Sequence, residues 1–312
     1  MDTIKIRIYR EDIPEVFYRG FFEHYEFDTR FSKRTGMMTY HTEIKNFQVR
    51  LDDRQLVLEG SLTKFAIGDN LKTADLVQLY EGIAELGKEL RVDLFRSEVL
   101  RLDIAGNIIT KYPVKEYYSL LIDLPRFKRN EMNNGLSFSN STAYVSFYGK
   151  IQEMKGKRST FVDDFFSNAN VLRFECKFNS RSFEQYFNLR KPTLNDVFEN
   201  YDKFISQWQR IFKAIVKAQD ALHPSTELFS VKGNFERFLK IQGIEKLGGL
   251  RVALDLIELG KKRGYLTKYG NEASNLKGKL KKLMKLPQLV QKSTLVEELE
   301  QKVDFVAFHL QN

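Results

Sequence analysis

A single cysteine, Cys176, stands in a chain of 312 residues, which excludes an intrachain disulfide and any cysteine-built zinc module. Histidine is nearly as scarce. His24, His41, His223 and His309 show no His-x-His or His-x-x-x-His spacing, so a histidine-only metal cluster would need convergence from distant segments. No apolar run approaches the ~20 residues of a spanning helix, and the opening MDTIKIRIYRED lacks the apolar stretch of a signal peptide. These absences lead us to expect a soluble chain in a reducing, cytoplasmic setting. Acids are outnumbered too: 41 Asp and Glu face 50 Lys and Arg, a formal charge of +9. That excess attracts polyanions, nucleic acid first and an anionic membrane surface second.

Apolar material is plentiful. Hydrophobic residues make up 42% of the chain, with 26 Phe and 14 Tyr, enough for a packed core, while the length favours two domains. DTIKIRI alternates apolar and charged residues, as a half-buried strand does, and TEIKNFQVRLDDRQLVLEGSL reads as a hairpin turning at Asp52, Asp53 and Arg54. From Thr73 to Leu90, Leu76, Leu79, Tyr80, Ile83, Leu86 and Leu90 recur at helical spacing. SEVLRLDIA is a strand, Pro113 opens a short helix, and STAYVSFYGKIQEM and NVLRFECKF are further strands. The expected fold is α+β: an antiparallel sheet with helices packed on one face, followed by an all-helical C-terminal part. The division is expected at residue 189, ahead of a helix starting near Pro192. In the tail, residues 261–292 carry ten basic residues, Lys279, Lys281 and Lys282 among them, against the single acid Glu272. This is a surface suited to phosphates, or simply a solvated helix face.

VLRLDIA (residues 99–105) and VLRFECK (residues 171–177) repeat one pattern. Alternation puts Arg101 with Asp103, and Arg173 with Glu175 and Lys177, opposite Leu100, Leu102 and Ile104 or Leu172, Phe174 and Cys176. In one antiparallel sheet the two acids would face the same way, an arrangement that a hard divalent cation such as Mg²⁺ or Mn²⁺ would relieve. The simpler reading is that each acid pairs with the arginine two positions before it. On a third strand, Tyr144, Ser146, Tyr148, Lys150 and Gln152 share a face.

FYGKIQE resembles the Tyr-x-Lys-x-x-Glu element of the gene II replication initiators of filamentous phages, and a similar element occurs in the trans-acting Rep initiators of plasmids. DTIKIRI, GSLTKFAIGDN, LRLDIA and VLRFECKFNSRSFEQYFNL look like further elements of that family in the same order, over roughly residues 1–190. The His-hydrophobic-His triplet of the wider rolling-circle endonucleases is missing. The resemblance implies nicking and closing of one DNA strand at an origin through a 5′-phosphotyrosyl adduct. By matching position it makes Tyr148 the nucleophile, with Lys150 stabilising its charge and Asp103 and Glu175 holding Mg²⁺ or Mn²⁺. Glu153 matches the motif as a third ligand, although strict alternation would send it to the apolar side. Arg101 and Arg173 would orient the acids or touch phosphate, and Lys64 would contact DNA. Tyr144 is the rival nucleophile, and His41 with Glu43 a lesser metal site. Expected partners are origin DNA, single-stranded or supercoiled, and host helicase and replication proteins in the bacterial cytoplasm, with no membrane. Two other readings stay open: a catalytically inactive DNA-binding replication regulator, and an RNA-binding component that stacks bases on its sheet.

Overall fold

A computed structural model of the chain describes residues 1–156, 166, 168–221, 232–266, 271–286 and 290–311. His223, and Lys268 of the ten basic residues in the tail, lie outside the described residues. In chain order the elements begin β1 (Thr3–Tyr9), α1 (Glu15–His24), β2 (Asp28–Ser32), β3 (Met37–Ile44), β4 (Phe47–Leu51), β5 (Gln55–Ser61), α2 (Leu62–Ile67), α3 (Leu76–Leu90) and β6 (Glu98–Thr110). Next come α4 (Val114–Tyr118), β7 (Leu121–Asp123), β8 (Lys128–Met132), β9 (Gly135–Ser139), β10 (Ala143–Gly149), α5 (Lys150–Gly156), β11 (Asn170–Asn179) and α6 (Ser180–Phe187). The remainder is α7 (Leu194–Glu199), α8 (Tyr201–Ala214), β12 (Val216–Lys217), β13 (Gln219–Ala221), α9 (Asn234–Lys246), α10 (Gly249–Lys262), α11 (Glu272–Leu283), β14 (Val290–Lys292) and α12 (Thr294–Gln311).

Contacts divide the chain into two units, one of Met1–Val114, Lys128–Lys213 and Lys302–Asn312, the other of Lys115–Phe127 and Ala214–Gln301. Residues 190–213, which lie past the division expected at 189, fall in the first unit. That unit is built on a ten-stranded sheet in the order β2-β3-β4-β5-β1-β6-β11-β10-β9-β8, antiparallel at every pairing. Ile4, Ile6, Leu58, Leu102, Ile104, Phe147, Phe174 and Phe178 are buried on one side of it. Trp208 of α8 stacks on Phe174 at 4.4 Å, Phe174 in turn on Phe147 at 4.7 Å, and Phe212 lies 5.6 Å from Phe174. This aromatic layer closes the oily face and leaves the other face polar.

Local rules account for most boundaries. Asp75 caps α3 in a reciprocal capping box with Gln78, and Asp52 accepts from the amides of Arg54 and Gln55 at the β4–β5 turn. Where expectation and structure part, physical causes are visible. The strand expected through FYGKIQEM stops at Gly149, because Ile151 and Met154, three residues apart, bury against Leu71 and Val171 as one face of a helix. Leu100 falls at a register shift opposite Lys5 and Ile6, and Val99 is buried in its stead. The helix expected from Pro192 is two helices that meet at Asn200. The tail expected to be all helical carries β12, β13 and β14, strands of two or three residues, too short for alternation to register.

In the second unit, β12 pairs with β7 and β13 with β14. Its core joins Phe238, Ile241 and Ile244 of α9 to Leu250, Ala253 and Leu254 of α10, with Leu280 and Leu283 of α11 packed against them.

Candidate active site

Antiparallel register assembles a charged patch on the polar face of the first unit. Across β10 and β11, Tyr148 lies opposite Arg173, Ser146 opposite Glu175, and Tyr144 opposite Lys177. Across β11 and β6, Arg173 lies opposite Asn107 and Lys177 opposite Asp103. Glu175 is therefore diagonal to both Tyr148 and Asp103, a relation that spans about 7–8 Å between backbones and is reachable by long side chains.

The half-buried Tyr148 hydroxyl donates to Oε2 of Glu175 at 3.1 Å. Burial pushes its ionisation well above the ordinary phenol range; Arg173 opposes this, while Glu175, Asp2 and Glu153 add to it. The phenol thus sits protonated on a carboxylate, with a guanidinium next to it.

That guanidinium, Arg173, is the hub. It is 2% exposed, pairs with Asp2 at 2.7 Å and with Glu175 at 3.6 Å, and donates to the Asn70 carbonyl at 3.1 Å and to Oδ1 of Asn107 at 3.0 Å. Asp2 also accepts from Ser61 and Asn70. Burial works to raise its carboxyl, but Arg173, Asn70 and Ser61 hold it far below the usual carboxylate range. Asp2, Asn70 and Asn107 are the members of this network that sequence reasoning missed. Two of them lie in stretches quoted above, DTIKIRI and GSLTKFAIGDN, and the signal was the pairing of β1 with β5, which sets Thr3 against Ser61.

Asp103 is 1% exposed and is held by Arg101 through both Nε and Nη2. Arg101 reaches on to Glu59 at 3.1 Å, which pairs with Lys5 at 2.8 Å. Burial pushes the Asp103 carboxyl up to about 6; the Arg101 hydrogen bonds oppose this and the charge of Glu175 adds to it. Each acid therefore pairs with the arginine two positions before it, as the simpler reading has it. Among the described residues no three His, Cys, Asp or Glu side chains gather as a metal cluster. Asp103 and Glu175 still fit the manner of Mg²⁺, which commonly takes one or two carboxylates together with water and substrate phosphate. An ion there would replace Arg101 on Asp103.

The other candidates are dispersed. Lys150 does not share a strand face with Tyr148, since it opens α5. It is 4% exposed and pairs with Glu153 at 2.9 Å; burial, with the charge of Arg173, lowers its ionisation. Glu153 reaches the Tyr148 side through that helix, which removes the conflict with alternation. Lys64 is exposed on α2, where its amide bonds the Ser61 cap. Tyr144 lies under Lys177, whose Nζ is 5.3 Å from the ring centroid. His41 and Glu43 line a groove of about 670 Å³ over β2–β5 and β1, and His41 Nε2 lies 3.0 Å from Thr39 Oγ1. In the second unit, Lys281 is engaged by Asp123, whereas Lys279 and Lys282 are exposed. Among the described residues no helix is long and apolar enough to cross a membrane.

No curated protein matches the chain. A family model does: that of the N-terminal part of the phage replication-associated protein, the gene II product, over residues 16–205. The match takes in β2 to β11 and with them Tyr148, Arg173, Glu175 and Asp103. It spans well over half of the chain, and the protein belongs to this family of phage replication initiators.

Proposed function

We propose that the protein nicks one DNA strand at a replication origin by transesterification onto Tyr148 and later reseals it. The Tyr148 oxygen attacks the scissile phosphorus as its proton passes to Glu175, which lies within transfer distance. The bond to the 3′ oxygen breaks, and that oxygen takes up a proton from solvent water, leaving a free 3′ hydroxyl and a 5′ phosphate esterified to the tyrosine. The ester conserves the phosphodiester energy, so the reverse attack by a 3′ hydroxyl closes the strand. The observation that carries this reading is the hydrogen bond from Tyr148 to Glu175 beside a buried arginine.

Arg173 has a fixed position, set by Asp2, Asn70 and Asn107, from which to meet the negative charge that builds on the phosphate oxygens. Lys150, desolvated and close by in sequence, adds a second cation. Asp103 and Glu175 would hold Mg²⁺ or Mn²⁺, which supplies Lewis-acid polarisation of the phosphate when bound. Glu153 keeps Lys150 in place. Arg101 orients Asp103, and Lys64 contacts the DNA backbone. The substrate is origin DNA, single-stranded or supercoiled, in the cytoplasm of the bacterial host, where helicase and replication proteins would extend from the 3′ end.

A second reading, a catalytically inactive DNA-binding replication regulator, draws on the ion pairs Arg101–Asp103 and Arg173–Glu175, which satisfy both acids without a metal. Incubation with supercoiled origin plasmid in Mg²⁺ separates the two. The initiator converts the plasmid to nicked circles with protein held on the 5′ end; the regulator binds and leaves it supercoiled.

A further inference from the structure

Helix α11 of the second unit has one side in the core and one side that, among the described residues, makes no side-chain contact with the rest of the unit. Ala273, Leu280 and Leu283 turn inward. At 3.6 residues per turn, Asn275, Gly278 and Lys282 fall on the opposite side, flanked by Lys279, with Asn271 just before the helix and Lys285 just past its end. All of these except the half-buried Gly278 are exposed. The lysines at the sides of the helix are engaged, Lys277 by Glu258 and Lys281 by Asp123. Among the described residues, Lys279, Lys282 and Lys285 have no acidic partner, and the side chain of Asn275 has no hydrogen bond. The helix's single acid, Glu272, lies on the same flank as Lys279, about two turns and roughly 10 Å before it along the axis.

Gly278 is the telling residue. A Cβ there would meet nothing within 4 Å, and its backbone is not left-handed. Glycine is the poorest helix former after proline, so neither packing nor conformation accounts for it. A missing side chain does let a ligand approach the helix closely. An outward stripe of unpaired lysines around an asparagine and a glycine complements a polyanion with readable edges. A helix about 10–12 Å across matches the ~12 Å major groove of B-form DNA.

We infer that α11 docks in the major groove of duplex DNA. Asn275 faces the base edges, where its amide suits adenine. Lys279, Lys282 and Lys285 contact phosphates, and Gly278 lets the helix sit close. This goes beyond the nicking chemistry, giving the second unit a duplex-binding site of its own outside residues 16–205.

The test uses the full chain carrying Tyr148→Phe, so that cleavage does not enter. Binding to a labelled random-sequence duplex of about 30 base pairs is followed by anisotropy over a range of salt. Lys279→Ala with Lys282→Ala should weaken binding about tenfold or more at ~0.1 M salt and lower the salt slope by about 2. Gly278→Leu should raise Tm, since leucine is the better helix former, yet weaken duplex binding about tenfold. An RNA duplex of the same sequence, whose A-form major groove does not admit a helix, should bind at least about tenfold more weakly than the DNA. Unchanged affinity and slope in the double variant, undiminished binding by Gly278→Leu, or equal affinity for the RNA would overturn the inference. Should the double variant fail to fold, Gly278→Leu decides. A wild-type chain that forms no adduct would count against the nicking reading and leave this one standing.

Discussion

The Tyr148 hydroxyl donates to Glu175 at 3.1 Å, and the residue directly across the strand pair from Tyr148 is Arg173. A proton acceptor and a fixed cation thus flank one phenol. The hydrogen bond itself contributes little to the fold, because Glu175 keeps Arg173 and Lys177 as partners. Tyr148→Phe should lower stability by only about 1 kcal/mol, measured by urea unfolding, while plasmid nicking falls roughly a thousandfold or more.

Lys150 is buried at the start of α5, two residues after the proposed nucleophile in sequence, with Glu153 as partner. Lys150→Met should lower kcat about a hundredfold, the usual scale for losing one charge-stabilising group in a transition state, with KM for an origin oligonucleotide nearly unchanged. Single-turnover cleavage checks this, and Lys150→Arg should recover part of the loss.

Asp2 should reveal itself through stability and pH. Its pair with Arg173 is buried, and removing one partner strands the other charge, so Asp2→Asn should cost about 3 kcal/mol or more at pH 7. Because the folded carboxyl lies below its ordinary value of 3.8, its stabilisation is complete above about pH 4 and is lost as pH falls below that. Urea unfolding of both proteins from pH 7 down to pH 3 should show the gap narrowing only at the acid end.

The proposed ligands Asp103 and Glu175 make metal dependence testable. Chelation should stop nicking, and Mg²⁺ or Mn²⁺ should restore it. Asp103→Asn should weaken Mn²⁺ binding, read directly by calorimetry, about tenfold or more. An unchanged affinity would remove Asp103 from the proposed ligand set.

The division of the sheet into an oily and a polar face was legible from alternation alone, since Arg101 and Asp103, like Arg173 and Glu175, stand two residues apart in strands with buried aliphatic neighbours. Alternation misled beyond Gly149, where helix-forming residues and the burial of Ile151 and Met154 took over from the strand. The Arg173 hub was not legible. Asp2, Asn70 and Asn107 are distant in sequence and meet only because β1, β6 and β11 adjoin in the sheet, and a lone Asp or Asn carries no periodic signal of what it will touch. The strands from residue 121 to 139 and in the tail escaped notice because short pairings depend on their partners more than on their own composition.

Which oxygen carries the DNA decides the mechanism. Incubation with a single-stranded origin oligonucleotide in Mg²⁺, digestion and mass spectrometric mapping of the adduct should place the 5′ phosphate on the peptide containing Tyr148, at that residue, and Tyr148→Phe should yield no adduct. A phosphotyrosyl bond at Tyr144, or an adduct that persists in Tyr148→Phe, would contradict it.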